Sequence, residues 1–87
     1  MARSKVKIIV DILETVKKEN NCSKTRIIRF ANLDWDMASK YLSKMIKDGF
    51  LVTIESETRG NEEYKITERG EILLESLEKV RDACSIL

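Results

Sequence analysis

Two short amphipathic segments separated by a three-residue break constrain this chain more than any other feature. After Ser23, apolar residues fall at Ile27, Ile28 and Ala31; Asn32-Leu33 interrupts, and after Asp34 the pattern resumes at Ala38, Tyr41, Leu42, Met45 and Ile46 until Gly49. The spacing is helical. Ser23 and Asp34 are both residue types that cap helix N-termini by accepting a backbone N–H bond, and the acid also suits the positive end of the helix dipole. Gly49 stands where a helix wants a left-handed residue after its last turn. The reading is a helix over about 24–31, a tight turn, and a second helix from Trp35 to Lys47 or Asp48.

The flanks extend this unit. Ile8, Ile9, Ile12, Leu13 and Val16 form one apolar stripe, predicting a helix over 5–19 with Ser4 as its cap and Asn20-Asn21 as its stop. Residues 50–55 are rich in β-branched and aromatic types and predict a strand; Thr58-Arg59-Gly60-Asn61 reads as the turn, and Tyr64-Lys65-Ile66 as the return strand. Thr67 then caps a helix over about 68–84, with Glu68 and Glu71 in its first turn. Along that helix Leu73, Leu77, Val80, Cys84 and Leu87 follow the alternating four-and-three spacing of a coiled-coil seam. The seam either pairs two subunits or packs on the first helix of the same chain; pairing is the expectation. Residues 1–67 then form the body of the domain and 68–87 a dimerisation helix.

Composition excludes several classes. The 87 residues suffice for one domain. Histidine is absent, and two distant cysteines, Cys22 and Cys84, make neither a metal motif nor a disulfide framework. No glycine-rich phosphate loop or nucleophile elbow occurs, so no catalytic residue, metal, cofactor or small-molecule ligand is expected. Asp11 breaks the early apolar run, which argues against a secretory signal, and no stretch approaches a membrane span. A cytoplasmic, nucleoid-associated protein is the expectation. The ending Cys84-Ser85-Ile86-Leu87 formally fits a prenylation signal, but the helical seam explains Cys84 and Leu87 better.

The order helix, helix-turn-helix, β-hairpin, helix defines an α+β winged helix-turn-helix architecture: a three-helix core, a two-stranded wing and a C-terminal dimerisation helix. If the third helix buries Ala38, Tyr41, Leu42, Met45 and Ile46, then Ser39, Lys40, Ser43, Lys44 and Lys47 face outward. Lysines with small polar neighbours suit a helix lying in the major groove of double-stranded DNA. Lys24, Thr25 and Arg26 at the start of the second helix suit a backbone phosphate, and Arg59 at the wing tip a phosphate or the minor groove. Net charge is only +1, but residues 1–30 hold eight Lys and Arg against three acids, whereas residues 51–71 hold three against six. The expected function is therefore a homodimeric DNA-binding regulator or nucleoid-associated protein. The alternative is a protein-interaction module whose acidic wing meets a basic partner. Trp35 either shields the edge of the core or lies against the DNA backbone, and core packing is the expectation.

With these residues in place, the chain resembles the archaeal winged-helix regulators of the small chromatin-protein type. The resemblance is carried by Ser23-Lys24-Thr25-Arg26-Ile27 with Ala31-Asn32-Leu33, by Tyr41-Leu42 with Gly49-Phe50-Leu51, and by Tyr64-Lys65-Ile66-Thr67-Glu68-Arg69-Gly70. It implies a winged helix followed by a C-terminal helix that pairs with a second subunit. The chain departs from the family pattern at Arg29 and Phe30 and in its shorter C-terminal helix, which argues against a long coiled coil but not against a compact dimer.

Overall fold

The computed structural model describes residues 4–55 and 62–86, with side chains as far as residue 83. Helix α1 spans Lys5–Glu19, and Ser4 caps it by accepting from the Lys7 N–H. Strand β1 is Cys22–Ser23, α2 Lys24–Ala31, α3 Trp35–Lys47, β2 Leu51–Glu55, β3 Glu62–Ile66 and α4 Glu68–Ile86. The three strands make one antiparallel sheet in the order β1-β3-β2. The expected two-stranded wing thus carries a third strand. Cys22 pairs with Tyr64 and Ser23 with Glu63, so the residue that caps α2 also ends the sheet. Two residues are too few for a period to register, which is why the sequence did not reveal β1.

Helices α2 and α3 end by the same device. Asn32 takes a left-handed φ of 56°, and the Leu33 N–H reaches the Ile28 carbonyl at 3.0 Å. Gly49 takes φ 84°, and the Phe50 N–H reaches the Met45 carbonyl at 2.9 Å. Each bond closes the six-residue ring of a Schellman-type stop and turns the chain sharply. The first such turn directs α3 across α2, and the second sends the chain into β2.

The core is one cluster in which Ile12, Leu13 and Val16 of α1 meet Ile27 of α2, Ala38, Leu42 and Met45 of α3, Leu51 of β2 and Leu74 of α4. Three expectations are corrected here. Ile46 is 36% exposed; it sits roughly 70° around α3 from the centre of the Ala38–Leu42–Met45 arc. Trp35 is 61% exposed: as the first residue of α3, with its Cβ tilted toward the N-terminus, it projects beyond the core. In α4, Leu73 and Leu77 are half-buried against the chain's own core and Val80 is exposed, whereas the fully buried residue is Leu74. The Cys84 and Leu87 side chains lie outside the described residues.

Thr67 joins α4 to the rest. Its hydroxyl donates to the Gly49 carbonyl at 2.7 Å and accepts from the Gly70 N–H at 2.9 Å, while its own N–H donates to the Phe50 carbonyl at 3.1 Å. The end of α3 and the start of α4 are thereby held by a single side chain. Farther along α4, Arg81 meets Glu14 of α1 at 3.5 Å.

Cys22 is fully buried and free. Burial first, then Glu19, push its thiol from 9.0 up to about 11. Folding therefore favours the neutral thiol. The stabilisation is complete below the unfolded value and is lost as pH rises from 9.0 toward about 11. Denaturant unfolding of the wild type and Cys22→Ala across that range is expected to converge as pH rises; parallel curves would show that the thiol is not the titrating group.

Candidate nucleic-acid interface

Helix α3 presents Lys40, Ser43, Lys44 and Lys47 to solvent, together with Asp36, on the face opposite Ala38 and Leu42. Asp34 caps the helix by accepting from the Met37 N–H at 2.7 Å. Its carboxylate is thus committed to the helix start. Among the described residues Lys40, Lys44 and Lys47 form no ion pair, so the three ammonium groups outnumber the single acid, Asp36, on that face.

The start of α2 is built differently from the expectation. Ser23 accepts from the Arg26 N–H at 3.3 Å, as its capping role requires. Lys24, however, is half-buried; its ammonium donates to the Ser39 hydroxyl and lies 3.8 Å from the centroid of the Trp35 ring. A cation over an indole face is held by the ring quadrupole. Lys24, Ser39 and Trp35 therefore bind the start of α2 to the first turn of α3, and the polar groups of Lys24 and Ser39 are engaged within the fold. Arg26 is exposed and pairs with Glu19 at 3.7 Å; Thr25 and Arg29 are also exposed. Sequence reasoning missed the Lys24–Trp35 contact because nothing in local periodicity links residues on different helices.

Arg59 and the turn around it lie outside the described residues. In the sheet, Glu55 and Glu62 are exposed at one paired position and Lys65 is exposed nearby. Tyr64 is half-buried, and burial with a contribution from Glu62 pushes its phenol above the usual range. No cluster of potential metal ligands occurs among the described residues, and none of their helices is long and apolar enough to cross a membrane.

Four helices with a helix-turn-helix at their centre and an antiparallel wing define a winged helix-turn-helix protein. The chain belongs to the winged helix-turn-helix family, which it matches over residues 2–85. An uncharacterised protein of Methanocaldococcus jannaschii is 39% identical over 75 residues, covering 86% of this chain and 70% of that protein. A second from the same organism is 37% identical over 78 residues, 90% of this chain but only 34% of its own length. Among solved structures, Sso10a-2, a DNA-binding protein from Sulfolobus solfataricus, superposes with a TM-score of 0.85 at 30% identity, covering 95% of this chain and 83% of that one. The PcaV transcriptional regulator from Streptomyces coelicolor superposes with a TM-score of 0.78 at 18% identity over 87% of this chain and 56% of its own, which is a likeness of fold. The resemblance to archaeal winged-helix proteins drawn from the sequence is thus borne out.

Proposed function

We propose that this protein binds double-stranded DNA as a homodimer, acting as a transcriptional regulator or nucleoid-associated protein. The observation that carries the reading is the unpaired stripe of Lys40, Lys44 and Lys47 on the exposed face of α3, in a helix-turn-helix frame. In this reading α3 enters the major groove. Thr25 and Arg26 hold a phosphate at the start of α2, and Lys24 with Ser39 positions the two helices as well as lying at the interface. Arg59 is assigned to the wing contact. The description of the structural relative Sso10a-2 as a DNA-binding protein supports the same reading.

Residues 68–87 serve as the pairing helix on the body formed by 1–67, through Leu73, Leu77, Val80, Cys84 and Leu87. Exposure of Val80 and of Ile72, 57% and 60%, leaves apolar surface on α4 available for a second copy. Val80→Glu tests this cleanly, because its side chain is outside the chain's own core. The expected result is a halved solution mass with helicity retained; an unchanged mass removes α4 from the subunit contact.

The DNA reading is tested by fluorescence anisotropy of a labelled mixed-sequence duplex over a range of salt. Log affinity is expected to fall linearly with log salt, and Lys44→Ala to reduce the slope by about 0.9 if its ammonium displaces one counterion. Absence of binding at low salt by the folded protein would instead favour the protein-interaction module, for which Glu55 and Glu62 supply an acidic face.

A further inference from the structure

Beside the α3 stripe, α1, α3 and α4 enclose an open pocket of about 260 Å³. Ile9, Tyr41, Phe50 and Leu73 give it apolar and aromatic walls. Its rim carries three ammonium groups, Lys5, Lys40 and Lys44, against the single carboxylate of Asp48. Two of those lysines, Lys40 and Lys44, also belong to the stripe assigned to DNA. From this shared use we infer that the pocket takes a small planar aromatic carboxylate and that its occupation weakens DNA binding.

The chemistry of the pocket selects that class. Its volume is below the range of about 300–1,000 Å³ usual for drug-sized ligands, which suits one or two fused rings. Two aromatic side chains in the wall favour a flat, apolar body. The excess of ammonium groups at the mouth favours an anionic end, and the low dielectric of the walls strengthens that attraction relative to open water. A seam side chain from a second copy would cover the apolar Leu73 but would make no use of the three exposed lysines, Lys5, Lys40 and Lys44, in the same lining. An anion uses both the apolar wall and the lysines.

The regulatory half of the inference rests on the proposed DNA reading, while the binding half does not. A carboxylate at the rim draws Lys40 and Lys44 toward the pocket and neutralises charge that would otherwise displace counterions from DNA. Because binding couplings are reciprocal, DNA must then weaken carboxylate binding by the same factor.

The probe is 1-naphthoate, titrated into the full chain by calorimetry and, at matched ionic strength, into its complex with the labelled duplex. Saturable binding at one site per chain is expected. The uncharged 1-naphthamide and the Lys40→Gln/Lys44→Gln double variant are each expected to bind or be bound about tenfold more weakly, the scale of a charge-assisted hydrogen bond. Ile9→Trp enlarges a wall residue of the pocket while leaving all three lysines in the sequence, and is expected to abolish naphthoate binding; circular dichroism verifies its fold. Saturating naphthoate is expected to weaken DNA binding by about tenfold, within the ordinary range of coupling. No saturable naphthoate binding at millimolar concentration, or equal binding of acid and amide, overturns the pocket assignment. Binding of both naphthoate and DNA without mutual effect overturns the coupling alone. A chain that takes naphthoate but no DNA at low salt overturns the DNA reading, and the coupling with it, while the pocket assignment stands.

Discussion

Gly70→Ala is expected to cost on the order of 3 kcal/mol, at or beyond the upper end of ordinary overpacking. A Cβ at position 70 would lie 2.2 Å from the Phe50 carbonyl oxygen and 2.8 Å from Ile66 Cγ1. The first of these neighbours is backbone and cannot rotate away. It also accepts the Thr67 N–H bond at 3.1 Å, so relieving the clash pulls apart the clasp that joins α3 to α4. The contrast is Gly49→Ala. There the nearest atom is the Arg69 Cδ at 3.7 Å, and the difficulty is φ 84° rather than space. That substitution is expected to cost about 1 kcal/mol, the scale of left-handed strain in a non-glycine residue. Urea unfolding followed by circular dichroism, at one protein concentration, checks both. A Gly70→Ala loss no larger than that of Gly49→Ala would show that the close approach at Phe50 relaxes without cost.

That contrast also marks what could be read from the sequence. Gly49 was legible because a helix-stopping glycine follows a periodic segment. Gly70 was legible only as part of a resemblance, since its partner Phe50 is in another element and backbone contacts leave no periodic trace. The limits of α1, α2 and α3 were legible for the same local reason: Ser4, Ser23 and Asp34 each cap the helix that follows, as the spacing predicts. Position within an apolar face was less secure. Ile46 lies on the edge of its helical arc, where a rotation of a fraction of a turn separates burial from exposure, and Trp35, the first residue of α3, projects past the end of the core. The wing's acidity and the lysine stripe could be read directly, because charge and the helical period are both local. The Lys24–Ser39–Trp35 contact and the pocket between α1, α3 and α4 could not, because each depends on how separate helices cross.

Leu74→Ala is expected to destabilise the chain by about 3 kcal/mol, within the range for truncating a buried leucine. Leu74 is 2% exposed and belongs to the cluster formed with α1, so the loss combines transfer of its methyl groups to water with the cavity left against that helix. The heptad pattern did not single it out. Leu74 follows Leu73 by one residue, roughly 100° around the helix, so α4 closes its own chain's core chiefly with Leu74, shares Leu73 and Leu77 between that core and the proposed seam, and leaves Val80 exposed for pairing. The two roles separate experimentally. Leu74→Ala should lower the unfolding midpoint with the denaturant slope retained, whereas Val80→Ala, at a 57% exposed position, should change the stability of an isolated chain by less than about 0.5 kcal/mol. Because dimer dissociation makes apparent stability depend on concentration, both variants are compared with wild type over a dilution series. A Leu74→Ala effect that persists at every concentration places the residue in the fold of each chain. An effect that vanishes on dilution would transfer Leu74 to the subunit contact and leave the body of the domain able to fold without α4.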